Sequence, residues 1–203
     1  MEITPRRTEK DIGIKLSIES YFHNIYIVAP GFEIAKAPIP LDCLLFKKAE
    51  QQTTAEQKQK IIDLLGKIYP VLVVEGKGQN DPLNPDTVGQ MYRNVSTAFL
   101  ELRKTESIHP HETCFLLISC HSVEQSLEFI SEFFNTRTPY ENKPWLYCMN
   151  SFAFPLWMII VDKLPLKEEY LDFLLLVSGK REEEVCRLLN NFLPTLMQQL
   201  SRK

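Results

Sequence analysis

The chain has 203 residues, 44% of them apolar and 24% charged, with a formal net charge of −3. That length suffices for one domain with a substantial core, and the charge excludes a protein that grips nucleic acid through a global basic field, though not one with a local basic groove. No run of about 18 apolar residues occurs, which excludes a membrane-spanning helix.

Residues 1–7 lack the apolar centre of a signal peptide. Five cysteines without a Cys-x-x-Cys pair predict reduced thiols and a cytoplasmic setting. Residues 8–22 carry Ile14, Ile18, Tyr21 and Ile25 at helical spacing, and Thr8 offers a cap, so a helix is expected there. Ile25-Tyr26-Ile27-Val28 and Phe32-Glu33-Ile34-Ala35 read as strand material broken at Pro30-Gly31. Pro38-Ile39-Pro40 then forces an extended entry into Leu41-Asp42-Cys43-Leu44-Leu45-Phe46. An aspartate at the head of an apolar strand needs a partner, either a turn cap or a cation.

Residues 54–69 form the next expected helix, with Ile61, Ile62, Leu64, Leu65 and Ile68 on its apolar face. Val71-Leu72-Val73-Val74-Glu75-Gly76-Lys77 follows. Its four apolar residues, bounded by Pro70 and by Gly78-Gln79-Asn80-Asp81-Pro82, make a short buried strand. Strand side chains alternate, so Glu75 and Lys77 share one face and Gly76 lies on the other. An acid and an amine at the end of a buried strand are either an ion pair at the rim or the start of a polar site. Asn84 then caps a helix with Pro85 first and Asp86 in its opening turn. Val88, Met91, Val95, Ala98, Phe99 and Leu102 make its stripe, and Gln90, Arg93 and Asn94 lie off it.

Residues 113–120 read as another strand, and Ser122 with Gln125 as the cap of a helix through about Phe134. Residues 145–149 and 156–161 make a strand pair. Helices over 167–177 and 181–200 close the chain, with Gly179 as a stop and Pro194 as a kink or break. Their broad apolar faces (Leu171, Leu174, Leu175; Val185, Leu188, Leu189, Leu193, Leu196) suit a lid on the sheet or a homodimer surface.

In this order the elements are helix, strand, strand with Asp42, strand with Glu75-Gly76-Lys77, helix, strand. The succession resembles the αβββαβ core of the PD-(D/E)XK superfamily, the restriction-endonuclease-like fold of many restriction-type and transposase-associated nucleases. Pro40-Leu41-Asp42 and Glu75-Gly76-Lys77 carry the resemblance, and Gly78-Gln79-Asn80-Asp81 is similar to a segment that follows the lysine in some uncharacterised bacterial members. The match covers about residues 8–120 of one domain spanning 1–203, with 121–203 as a C-terminal extension. Two features depart from the pattern: a helix separates the Asp strand from the Glu strand, and the proline stands one residue early. They leave Glu33 as the reserve acid.

The resemblance implies an α/β fold with a central mixed sheet flanked by helices, a C-terminal strand pair and further helices. It also implies a Mg²⁺- or Mn²⁺-dependent endonuclease acting on nucleic acid, with DNA the first candidate. The chemistry is coherent on its own terms. A phosphodiester repels a nucleophilic water, so cleavage needs a hard cation and a water of lowered pKa. Mg²⁺ takes oxygen ligands and keeps several waters. Asp42, Glu75 and the Gly76 carbonyl are the candidate ligands. Lys77 is the candidate for orienting or deprotonating the water or for neutralising transition-state charge, and Gln90 or Arg93 for contacting the scissile phosphate. His109, His111, Cys114, Cys120 and His121 lack zinc-ligand spacing, and neither a nucleophile elbow nor a phosphate-binding glycine loop is present. The rival reading is a nuclease-like domain that binds or dimerises without cutting.

Overall fold

A computed structural model describes residues 9–30, 43–47, 53–104, 107–134, 138–149, 154–177 and 181–200. Asp42 and Glu33, with the expected strand around residues 32–35 and the stop at Gly179, lie outside them. The described elements are α1 (Glu9–Phe22), β1 (Tyr26–Pro30), β2 (Cys43–Lys47), α2 (Ala55–Leu65), β3 (Val71–Lys77), α3 (Pro85–Leu102), β4 (Thr113–Ser119), α4 (Val123–Phe133), β5 (Leu146–Met149), β6 (Leu156–Ile160), α5 (Leu171–Leu174) and α6 (Glu182–Leu200). Among them no helix is long and apolar enough to cross a membrane.

The strands form one 6-stranded sheet in the order β1-β2-β3-β4-β6-β5. β1, β2 and β3 pair antiparallel, β3, β4 and β6 parallel, and β5 closes the far edge antiparallel to β6. The fold is therefore α/β with a mixed open sheet, and the expected C-terminal strand pair is present. β3 and β4 occupy the middle of the sheet, which is why both are apolar on each face. Leu72 and Val74 of β3 belong to the core shared with Ile14, Ile18, Leu64, Phe173 and Val185, under α1, α2, α5 and the start of α6. Val71 and Val73 point the other way, into the core built with Met91, Val95, Phe129 and Ile130 of α3 and α4.

Local chemistry sets the helix ends. Thr54 and Gln57 cap α2 reciprocally: Gln57 N donates to Thr54 Oγ1 at 3.2 Å and Thr54 N to Gln57 Oε1 at 2.9 Å. The expected run to Tyr69 stops instead at Leu65, because Gly66 takes φ 74 and turns its N–H back to Ile62 O. Ile68 still packs against the core, without being helical. Asn84 and Thr87 cap α3 in the same reciprocal way, with Pro85 in its first turn.

The C-terminal region differs more from expectation. Residues 167–177 do not form a continuous helix. A 3₁₀ turn, Glu168–Tyr170, leads into the four residues of α5. Leu176 N and Val177 N then bond three residues back, to Phe173 O and Leu174 O. The tighter winding buries Tyr170, Phe173, Leu174 and Val177 together and leaves Leu175 exposed. α6, by contrast, runs through Pro194 to Leu200 without a break.

Arg181 ties the start of α6 to the end of β6. Its guanidinium donates to the carbonyls of Val161, Asp162 and Leu164. Val161 and Asp162 belong to the 3₁₀ turn that follows β6 and Leu164 is its C-cap, so Arg181 gathers carbonyls at the end of that turn. Arg181→Ala is expected to lower unfolding stability by about 1.5–3 kcal/mol, the worth of a hydrogen bond to a charged group. Arg181→Lys should recover only part, since a single ammonium cannot span three carbonyls. Urea titrations check this, and an unchanged midpoint for Arg181→Ala would remove the anchor.

Tyr26 Oη donates to the Tyr69 carbonyl at 3.0 Å, and Trp157 Nε1 donates to Tyr69 Oη at 2.8 Å. Burial raises the Tyr21 and Tyr26 phenols far above the usual tyrosine range. Neighbouring Tyr170 and Glu169 add to the rise at Tyr21, and Cys114 adds to it at Tyr26. A phenol raised in the folded state adds stability that is complete below its unfolded value, near pH 10, and is lost as pH climbs beyond it. The seven tyrosines should therefore titrate unequally at 295 nm, the buried ones only as circular dichroism reports unfolding. Uniform titration near pH 10 with the fold retained would contradict this.

Candidate functional site

β3 is the element that builds the site. Its C-terminal end carries Glu75 and Lys77 toward α3, while Gly76 faces α1, as strand alternation requires. Glu75 is 7% exposed, unusual for a carboxylate, and it lies opposite Leu117 of β4. Three side chains converge there. Lys77 Nζ donates to Glu75 Oε1 at 3.0 Å. Gln90 Nε2 donates to the same oxygen at 3.2 Å, and Lys77 Nζ also reaches Gln90 Oε1 at 3.4 Å. The Glu75 and Lys77 side chains are 9% and 13% exposed, so this ion pair is largely withdrawn from water. Such a pair holds only when its remaining donors and acceptors are satisfied, and the Gln90 carboxamide bonds to both members.

The turn between β3 and α3 is fixed by its own side chains. Gly78 N donates to Asp81 Oδ2 at 2.7 Å, and Thr87 Oγ1 donates to the Pro82 carbonyl at 2.8 Å. His121, 3% exposed at the end of β4, reaches across from the neighbouring strand. Its Nε2 donates to the Asp81 carbonyl at 2.6 Å, so Nδ1 is left to accept from Ser119 Oγ at 3.3 Å, and Ser119 Oγ lies 2.9 Å from Ser126 Oγ. Cys120 N bonds to Lys77 O at 2.8 Å. The end of β3 is thus sewn to β4 and α4, which fixes where Lys77 leaves the sheet.

Of the residues expected at the site, Glu75, Lys77 and Gln90 meet. Arg93 is exposed. Asn94 was expected off the apolar stripe but is fully buried at 0% exposure. Asp42 lies outside the described residues; the last described pair on that side sets Cys43 opposite Val74. The His109 and His111 rings stack on each other, Cys114 is buried in the core, and His121 is engaged with a main-chain carbonyl. Among the described residues no three His, Cys, Asp or Glu side chains gather into a group able to hold a metal.

Sequence reasoning missed His121, Ser119 and Ser126 as the brace of this region. The only available signal was a histidine one residue beyond an apolar strand and just before a helix cap.

A cleft of about 390 Å³ opens beside the turn, lined by Gln79, Asp81, His121 and α4 residues including Glu128 and Glu132. Those carboxylates make the α4 side unfavourable for a polyanion. No family model, curated protein or solved structure matches this chain.

Proposed function

We propose that the chain is a metal-dependent phosphodiesterase, an endonuclease acting on nucleic acid and on DNA in the first instance. The observation that carries this reading is the meeting of Glu75, Lys77 and Gln90 at the C-terminal end of a central strand. An acid and an amine two residues apart, joined by a carboxamide from the next helix, are what water attack on a phosphodiester requires beside a hard cation.

The donors fit such a cation in kind. Mg²⁺ is typically held by one or two carboxylates with waters completing its shell, and Glu75 supplies one. On the resemblance of Pro40-Leu41-Asp42 and Glu75-Gly76-Lys77 to the PD-(D/E)XK pattern, we assign Asp42, Glu75 and the Gly76 carbonyl as the oxygens that would hold Mg²⁺ or Mn²⁺. When bound, the ion supplies a water of lowered pKa and positive charge against the phosphate oxygens. Lys77 orients the attacking water and offsets the negative charge that grows on phosphorus-bound oxygens. Gln90 keeps Glu75 and Lys77 in register through its two hydrogen bonds. With Glu128 and Glu132 rimming the α4 side, the polyanion approaches from the β1–β2 side of α3.

Supercoiled plasmid, linear duplex, single-stranded DNA and RNA, each incubated with Mg²⁺ and with Mn²⁺, test the reading. Metal-dependent nicking that chelator abolishes is expected. Every substrate remaining intact would leave a non-cutting binding or dimerisation module in its place.

A further inference from the structure

A second cleft, of about 580 Å³, shares no residue with the Glu75 site or with the cleft beside its turn. Its volume falls in the range of about 300–1,000 Å³ that takes small molecules. Three elements build it. α2 contributes Glu56, Lys60 and Asp63, which recur at i, i+4 and i+7 and so share one helix face. Tyr21 comes from α1, and Glu169 and Tyr170 from the 3₁₀ turn before α5. Three carboxylates thus stand against one ammonium. An acidic rim alone signifies little, since Glu128 and Glu132 rim the other cleft, where the buried polar residue, His121, is fully engaged.

What separates this cleft is Tyr21. The residue is 2% exposed, yet its Oη has no hydrogen-bond partner. A phenylalanine there would avoid the cost of burying an unpaired hydroxyl. The hydroxyl is turned to the acidic wall: after burial itself, Tyr170, Glu169, Asp172 and Asp63 hold the phenol above the usual tyrosine range. Burial, then Glu169 and Asp63, raise Tyr170 as well, so two phenols share the field of the same two carboxylates.

The ring shows which ligand suits it. Phe173 packs against it with centroids 4.6 Å apart, and Lys60 Nζ stands 4.1 Å from its centroid, a cation–π distance. A bare metal ion does not fit, because among the described residues no three acidic side chains gather closely enough to hold one. Carboxylates spread around a cleft match ammonium groups spaced by methylenes, whose stems lie on aromatic rings. Gln59 Nε2 donates to Asp63 Oδ1 at 2.8 Å and orients that carboxylate. Lys167 lies 3.5 Å from Glu169, but both side chains are exposed, so a ligand cation replaces it at little cost.

We propose that this cleft binds a linear aliphatic polyamine: one ammonium takes the place of the Lys60 ammonium beside Tyr21 and donates to Tyr21 Oη, with Asp63 and Glu169 supplying the countercharge. The Glu75 site has no part in this, so the polyamine site stands whether or not the protein cuts nucleic acid.

Isothermal titration calorimetry of the wild-type chain with spermidine, beside Mg²⁺ at matched ionic strength, reads the affinity, and amide chemical shifts locate the site. One-to-one spermidine binding is expected, with shifts centred on Tyr21, Lys60, Asp63 and Glu169 and no comparable saturation by Mg²⁺. Tyr21→Phe, which removes an orphaned hydroxyl and so keeps or raises the unfolding midpoint, should weaken spermidine by about 3- to 10-fold. Asp63 and Glu169 are exposed, so Asp63→Asn with Glu169→Gln should leave the fold intact and weaken binding by about tenfold. Lys60→Met should tighten binding, because it removes the competing ammonium. Thr113→Val removes an orphaned hydroxyl outside the cleft and should leave the affinity unchanged. No saturable heat, equal saturation by Mg²⁺, an affinity that Tyr21→Phe leaves unchanged, or shifts centred on Glu128 and Glu132 overturns the proposal.

Discussion

Lys77→Met should lower metal-dependent cleavage by about 10²- to 10⁴-fold while leaving a folded protein, the range typical of losing a positioned proton-handling group. The variant will also lose stability, because Glu75 remains buried without its ammonium. The loss should fall below the 3–5 kcal/mol or so typical of breaking a fully buried pair, since the Gln90 donor remains and Lys77 is part-exposed. That mixture separates catalysis from structure. Glu75→Gln combined with Lys77→Met removes both charges, so stability should return toward wild type while cleavage stays lost. Lys77→Arg should not rescue, because a planar guanidinium does not reproduce a compact ammonium 3.0 Å from Glu75 Oε1. Plasmid nicking and urea titration on the same preparations check both halves. Cleavage returning in the doubly neutral variant would make the pair structural only.

The second large effect concerns Gly76, between the two charged residues. A Cβ added there would overlap Ile14 Cγ2, so α1 rests directly on the strand at this point. Ile14 is 4% exposed and cannot swing into solvent. Gly76→Ala should cost about 1–3 kcal/mol by overpacking, and it should reduce cleavage, since any shift of β3 moves Glu75 and Lys77 with it. Ile14→Ala alone should cost about 2–5 kcal/mol as a core truncation. Together they should cost less than the sum by about 1 kcal/mol or more, because each relieves what the other creates. Strict additivity in denaturant titrations would mean that α1 does not set this clearance.

Much of this was legible in the chain because the decisive signals are local. Four apolar residues between Pro70 and a turn cluster marked β3, and alternation alone placed Glu75 and Lys77 together. Asn84-Pro85 marked the start of α3. Other features depend on distant partners. His121 bonds to a main-chain carbonyl 40 residues away, and no side-chain pattern encodes a carbonyl acceptor. Asn94 looked like a wet helix position because polar type was read as exposure, whereas the packing of α3 on β3 buries it. Gly66 was a visible stop, overridden by the periodicity of Ile68, which reaches the core from beyond the helix end. Residues 167–177 have helical spacing, yet they wind in tighter turns that set Tyr170 against Trp145 and Phe173 against Tyr21, distant partners that local spacing does not show.

A crystal of the wild-type protein grown with Mn²⁺ and recorded near the manganese absorption edge bears most directly on the central claim. An anomalous peak within coordination distance of a Glu75 carboxylate oxygen, shared with Asp42 and lost in Glu75→Gln, is the predicted result. A well-ordered Glu75 with no peak in reach, at manganese concentrations that support nicking by the same protein, would contradict it.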